Sequence, residues 1–284
     1  MSEVARPIVV KLGGALLDRP ESSPALFAAI ARLHRARPGG VIIVHGGGAA
    51  VDRHLAALGM TSERREGIRI TPPEQMEVIA GVLAGAMNTR LVGVLRAAGL
   101  PAVGLSLGAA EIECRKTSAF SFDPGRVGEV VGGRGRLLSV LLDEGFVPVL
   151  SSIGLDAEGA MLNVNADEAA AGVARVIAAA ELVLLTDVAG VLDADGVLLP
   201  RLDGAAIEHG IAAGWISGGM IAKVRGAAAA ARSAATPVRI ASWSDPAPIL
   251  ALAEGSRGSA GTCIEIDLSE PVAEAPTEGA ATTS

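Results

Sequence analysis

Short apolar runs recur along the chain at Ile8 to Leu12, Val41 to His45, Ala102 to Leu107, Phe146 to Ser151, Leu182 to Thr186 and Val238 to Ser242, with a last one near Thr262 to Ile266. Several are apolar at consecutive positions, the pattern of strands covered on both faces. Segments with helical spacing lie between them, so the chain reads as α/β, built from βαβ units around a mainly parallel sheet.

The clearest helix is predicted in TPPEQMEVIAGVLAGAMNTRLVGVLRAAG. Thr71 and Glu74 form a capping box, Pro72 takes the first helical position and Gly99 closes the helix. From Ile112 to Val131 the pattern changes to short alternating pieces around SFDPGRVGEV, which predicts an antiparallel ribbon and a candidate lid. The final stretch, SEPVAEAPTEGAATTS, is small, acidic and Pro-containing, and a disordered tail is expected there. No internal repeat is evident.

Composition narrows the function classes. With 284 residues, half of them hydrophobic, the chain can bury a sizeable core. No stretch is expected to cross a bilayer. Two Trp, four Phe and no Tyr leave little with which to stack bases, and a net charge of −7 is the wrong sign for a phosphate-backbone footprint. MSEVARPIVV enters a strand without a signal-peptide pattern, and Cys114 and Cys263 lie outside any metal-ligand spacing, so a cytoplasmic address with reduced thiols is expected.

Lysine usage then singles out two positions. Of 24 Lys and Arg residues only Lys11, Lys116 and Lys223 are lysine. Two of them sit in glycine clusters, KLGG at 11 to 14 and SGGMIAK at 217 to 223; a third cluster, HGGG at 45 to 48, also follows a strand. Glycines at strand ends let a backbone approach a ligand and present N–H groups to an anion. Any one cluster alone reads as a tight βα turn; three together, two carrying a lysine, point to phosphate chemistry. Neither a P-loop nor a dinucleotide fingerprint is present. NVNADEAAAG opens another helix, where Asn165 or Asp167 can serve as the N-cap. A carboxylate there can also hold ammonium groups. Asp187 ends an apolar strand, where either a turn residue or a ligand contact fits.

A serine-esterase pattern competes. HGGG resembles an oxyanion loop, GLSLG at 104 to 108 matches G-x-S-x-G, and Asp187 with His209 completes the order. The segment after Ser106 does not read as the required helix, and His209 sits inside a helical pattern.

VVKLGGALLD, VIIVHGGGAAVD, GIRITPPEQ, GVLAGAMN, VLSSIG, NVNADEAA, LLTDVAGVLD, GGMIAKV and VRIASW, in that order, resemble the amino acid kinase family and, within it, the acetylglutamate kinases of arginine biosynthesis. The resemblance spans about residues 7 to 266 and is nearest the short, arginine-insensitive form. It implies a three-layer αβα sandwich with a mainly parallel central sheet. Residues 1–180 would form an N-terminal lobe for the acyl amino acid and for dimerisation, 181–266 a C-terminal lobe for ATP, and 267–284 the tail. A homodimer through the helix after Thr71 is implied. Lys11 and Lys223 would stabilise the transition state and Asp167 would orient both. Gly47, Gly48, Arg69 and Asn163 would hold N-acetyl-L-glutamate. ATP would lie against Gly13 and Gly14, against Asp187, Val188, Ala189, Gly190, Val191 and Leu192, and against Trp215, Ile216, Ser217, Gly218, Gly219, Met220 and Lys223. Mg²⁺ would arrive with ATP, with no metal ligand from the protein. Without the resemblance, Arg69 reads as a solvent-facing charge. An aminoadipate-type acyl amino acid and a protein that binds nucleotide without turnover remain open beside this reading.

The chemistry suits these residues. A Glu-like side-chain carboxylate has a pKa of about 4 and is already ionised at neutral pH, so no general base is needed. Catalysis must then come from positioning and charge neutralisation, which two compact ammonium groups supply. His45 reads as structural, and Lys116 as a ribbon surface residue.

Overall fold

The computed structural model describes residues 6–256 and 261–266. Its strands are β1 (Ile8–Leu12), β2 (Val41–His45), β3 (Arg64–Arg65), β4 (Ile68–Arg69), β5 (Ala102–Ser106), β6 (Ile112–Lys116), β7 (Val127–Gly133), β8 (Val147–Ser151), β9 (Ile153–Leu155), β10 (Met161–Val164), β11 (Glu181–Thr186), β12 (Arg201–Leu202), β13 (Val238–Ser242) and β14 (Thr262–Ile264). Its α-helices are α1 (Pro24–Ala36), α2 (Gly48–Ala57), α3 (Met76–Ala80), α4 (Asn88–Ala97), α5 (Arg136–Asp143), α6 (Ala166–Val176), α7 (Gly204–Ala212), α8 (Gly219–Ala234) and α9 (Ala247–Ala253).

The main sheet runs in the order β12-β14-β13-β11-β1-β2-β8-β5. From β13 to β5 every neighbouring pair is parallel, and β14 joins β13 antiparallel. Successive side chains of β1 point to opposite faces, as strand geometry requires. Val9 enters a core formed with α6 and α8, whereas Ile8, Val10 and Leu12 enter a second core with Phe27, Ile30, Leu91 and Ile249. Both faces are therefore covered, which is why the strands are apolar at consecutive positions, and the result is a three-layer αβα sandwich. Alanines 169, 170 and 174 of α6 and 227, 228 and 231 of α8 lie buried in the first core, and their small side chains let the two helices pack closely.

The ribbon is present and larger than predicted. β6 and β7 pair antiparallel, but β7 also pairs parallel with β10, and β9 completes a four-stranded sheet. Residues 267–284, the expected tail, lie outside the described residues.

The helix after Thr71 differs from expectation at its start. Thr71 makes an isolated bridge to Gly125, with the Thr71 N–H donating to the Pro124 carbonyl at 2.9 Å. No capping box forms: a 3₁₀ turn (Pro73–Gln75) leads into α3, a π-helical stretch (Gly81–Met87) and α4. Tertiary pairing of Thr71 wins over local capping because its backbone joins the ribbon. Gly99 has φ +82° and closes the helix as predicted.

The expectation that nothing is long enough to cross a bilayer needs correction. Pro73–Ala97 is one continuous helical span of 25 residues with mean hydropathy 1.7 over its most apolar window, enough by length and composition. Val, Leu and Ile supply most of that hydropathy, and Asn88 and Arg90 interrupt it. One side of the span carries the buried residues Ile79, Val82, Leu83, Leu91 and Leu95, and the other shows Gly81, Thr89 and Gly93 to the surface.

Candidate active site

Strand register builds the site. Leu12 lies beside His45 on one side and Leu185 on the other, His45 lies beside Ser151, and Thr186 lies beside Ser242. The segments leaving β1, β2, β8 and β11 thus stand side by side, about 4.8 Å apart per strand. They occupy the carboxyl edge of a parallel sheet, where ligands of such folds bind.

Lys11, near the end of β1, turns its ammonium back over Gly13, where a Cβ would lie 2.5 Å from Nζ. The glycine makes room for the charge. Lys11 Nζ meets Asp167 Oδ1 at 2.9 Å. Asp167 is free to do so because Asn165, not Asp167, caps α6: Asn165 Oδ1 accepts the Asp167 and Glu168 N–H groups at 2.8 and 3.4 Å.

Lys223 departs from expectation. Asp167 was expected to orient both lysines, yet Lys223 Nζ meets Asp187 Oδ1 at 2.9 Å. The cause is topological. β11 delivers Asp187 to the same sheet edge at which α8 presents Lys223 one turn into the helix. The Lys223 hydrogen bond holds the Asp187 carboxyl below its ordinary range.

The four predicted acyl-group residues converge on one cleft, lined also by Arg64, Ser152 and Asn165. Arg69 is only 7% exposed, so the solvent-facing reading fails. Its guanidinium donates to Asp52 Oδ1, to Ser62 Oγ and, at 2.9 Å, to the Gly48 carbonyl. These bonds, with that of Ser62 and Arg64, hold the Asp52 carboxyl far below the usual range. Asn163 donates from Nδ2 to Thr71 Oγ1 at 3.0 Å, and Thr71 donates on to the Arg69 carbonyl at 3.1 Å. Thr71, released from capping, therefore fixes Asn163 beside Arg69. Gly47 has φ +152°, and a side chain there would collide with Met87 and Leu83. Sequence reasoning missed Asp52, Ser62 and Arg64. Their signal, a carboxylate four residues after Gly48 and a hydroxyl and an arginine just before Arg69, carries no meaning until the hairpin folds over α2.

The nucleotide segments are only partly as expected. Val191 is buried, with its N–H committed to Thr262 Oγ1 at 2.8 Å, and Ile216 is buried, with its N–H on the Gly210 carbonyl at 3.0 Å. Both side chains belong to the core rather than to a ligand surface. Gly190 packs against Thr262. Asp187, Ala189, Leu192, Ser217, Gly218 and Gly219 are exposed, and Val188, Trp215 and Met220 are half-buried. Gly13 is buried and Gly14 exposed beside them on the KLGG loop.

His45 is structural. It is fully buried, accepts a hydrogen bond from Asn88 Nδ2 at 2.9 Å on Nε2, and donates from Nδ1 to the Gly46 carbonyl at 2.9 Å. Burial pushes its pKa down to about 4, so it stays neutral at pH 7. The esterase arrangement does not assemble. Ser106 ends the edge strand β5, four strand spacings or about 19 Å across the sheet from β11 and Asp187. The turn after Ser106 leads into β6, and His209 lies within α7. Lys116 sits on the ribbon and pairs with Asp123 at 2.9 Å. Among the described residues no three His, Cys, Asp or Glu side chains gather as a metal site.

A glycine-lined sheet edge bearing two lysines and two carboxylates thus stands beside a cleft lined by guanidinium groups. The profile of the amino acid kinase family matches residues 6–242, and the chain belongs to that family. Acetylglutamate kinase from Aeromonas hydrophila subsp. hydrophila is 42% identical over 261 residues, covering 91% of this chain and 98% of the relative. That from Vibrio cholerae serotype O1 (strain M66-2) is 43% identical over 254 residues, covering 88% and 94%. Among solved structures, N-acetylglutamate synthase from Neisseria gonorrhoeae, complexed with coenzyme A and N-acetyl-glutamate, superposes with TM-score 0.74 at 25% identity, over 92% of this chain and 59% of that one. Giardia carbamate kinase shares the fold with TM-score 0.63 at 18% identity, over 93% and 100%.

Proposed function

We propose that the chain phosphorylates the side-chain carboxylate of N-acetyl-L-glutamate with ATP, releasing N-acetyl-L-glutamyl 5-phosphate and ADP, a step of arginine biosynthesis. The observation that carries this reading is the adjacency of two sites of different charge chemistry. A buried guanidinium, Arg69, faces the cleft, and two ammonium groups, Lys11 and Lys223, stand at the neighbouring strand ends. The acetylglutamate kinase relatives at over 40% identity along nearly their whole length support the substrate.

Arg69 and Asn163 bind the acyl amino acid and leave its distal carboxylate toward Lys11. Gly47 and Gly48 let the substrate approach the backbone. The carboxylate attacks the γ-phosphorus of ATP; the bond to the β–γ bridging oxygen breaks, and ADP leaves. Lys11 and Lys223 neutralise charge gathering on the transferring group, and Asp167 orients Lys11. No proton moves, because the nucleophile is already an anion. Mg²⁺ arriving with ATP would supply further charge neutralisation, with no ligand assigned from this chain. Both site carboxylates, Asp167 and Asp187, face lysines, which fits a metal brought by the nucleotide.

Residues 1–180 hold the acyl amino acid and 181–266 the nucleotide, on one continuous sheet. Two chains pair through the surface of Pro73–Ala97, whose small exposed residues allow close helix contact. The buried, unpaired Cys114 and Cys263 fit a reducing cytoplasmic compartment.

ADP release is measured with N-acetyl-L-glutamate, glutamate, aspartate and N-acetyl-aminoadipate, with hydroxylamine trapping the acyl phosphate. Hydroxamate is expected with N-acetyl-L-glutamate. Hydroxamate formed only with another acid overturns the substrate assignment while keeping the kinase.

A further inference from the structure

Strand β3 of the hairpin carries two arginines that face different ways. Arg65 stacks on the Phe122 ring, with its guanidinium 4.2 Å from the centroid, and so ties the hairpin to the loop after β6. Arg64, its neighbour on β3, points the opposite way, as strand alternation requires, and lines the acyl cleft. Its Nη2 lies 3.2 Å from where a Gly48 Cβ would be, directly over the HGGG loop.

One carboxylate serves both cleft arginines. Asp52 Oδ1 accepts from Arg69 and from Ser62 Oγ, and Asp52 Oδ2 accepts from Arg64 Nη2 at 3.1 Å. The two arginines are held differently. Arg69 is buried and locked by three acceptors, whereas the Arg64 side chain is 48% exposed and, among the described residues, bonds only to Asp52. Two guanidiniums thus line the cleft and share one carboxylate. A second carboxylate entering the cleft would meet both, and paired guanidiniums suit its two oxygens.

We propose that Arg64 is a second binding group for the non-reacting carboxylate of the acyl amino acid. On this proposal, Asp52 is the positioning residue that holds Arg64 and Arg69 together at the cleft. The inference deepens the function proposed above and rests on that substrate reading. It assigns specificity to the pair: the cleft selects N-acyl amino acids whose α-carboxylate is free, and rejects their α-amides.

The test compares Arg64→Gln, Arg64→Lys and Asp52→Asn with the unaltered enzyme, on N-acetyl-L-glutamate and its α-amide. Arg64→Gln should raise KM for N-acetyl-L-glutamate about 10-fold, the scale of one charge-assisted hydrogen bond, with kcat and the KM for ATP within about twofold. It should also narrow the preference over the α-amide. Arg64→Lys should recover part of the loss. Asp52→Asn should raise the same KM and leave the KM for ATP unchanged, a split that general destabilisation would not produce. Arg64→Gln with an unchanged KM and unchanged α-amide discrimination overturns the proposal. Calorimetric titration of N-acetyl-L-glutamate into the same proteins reads binding without turnover. Loss of phosphoryl transfer with intact, Arg64-dependent binding would strike the kinase reading alone.

Discussion

Lys223 meets Asp187 at 2.9 Å, while the equivalent distance from Lys11 leads to Asp167. The two ammonium groups thus come to the sheet edge each with its own carboxylate, delivered by different elements. A phosphoryl group bound between them would draw both lysines without leaving either unpaired beforehand. Lys11→Ala or Lys223→Ala should each lower kcat by roughly 10²–10³, the cost of one transition-state charge donor. Steady-state kinetics on the purified variants decides this, and near-normal turnover in either one removes that lysine from the chemistry.

Asn165 and Asp167 separate capping from charge. Asn165→Ala should cost about 1 kcal/mol of stability through the lost cap, read as a denaturant midpoint shift at constant m-value. Asp167→Asn should keep most of that stability and lower kcat, because Lys11 loses its partner. The reverse pattern would make Asp167 the structural residue.

Gly47→Ala should destabilise by about 1–3 kcal/mol, since φ +152° strains any side chain and Met87 and Leu83 occupy the space. Urea titration measures it. Adding Met87→Ala should recover only part, because the backbone strain remains.

The buried His45 and the solvent-exposed Glu168 titrate with opposite sign. Burial pushes His45 down to about 4, and partial desolvation beside β7, together with the Glu129 charge, pushes Glu168 up to about 7. A depressed histidine gives the unfolded chain the extra proton, so its contribution is present above about pH 6.5 and is lost as pH falls toward 4. A raised carboxyl gives the folded chain the extra proton, so its contribution is present below about pH 4.5 and is lost as pH rises through 7. Relative to the unaltered protein, His45→Gln should therefore make stability fall more steeply with rising pH between 4.5 and 6.5. Glu168→Gln should make it rise. Thermal melts across this window that showed no difference in slope would contradict both assignments.

The dimer proposal is checked at Gly85, on the Pro73–Ala97 span. Gly85→Gln should give a monomer by light scattering with an unchanged circular dichroism spectrum. A persistent dimer would place the interface elsewhere.

Much of this protein was legible in the chain itself. Consecutive apolar runs such as VVKL and VIIVH determine buried parallel strands, and β1, β2 and β13 end where those runs end. In the function proposed above, the ordered glycine motifs and the two lysines mark the chemistry, because small residues at strand ends admit an anion and a compact cation fits beside them. Local rules succeeded where the partner is near in sequence, as at Gly99. They failed where it is distant. Thr71 gives up its capping box for Gly125 and Asn163, Val191 and Ile216 leave the nucleotide surface for the core, and Lys223 takes Asp187 because β11 places it there. Arg69 looked like a surface charge until α2 brought Asp52 to it. A side chain's role at such positions depends on which strand lies beside its own, and that adjacency is decided by packing two apolar faces at once, which no local stretch encodes.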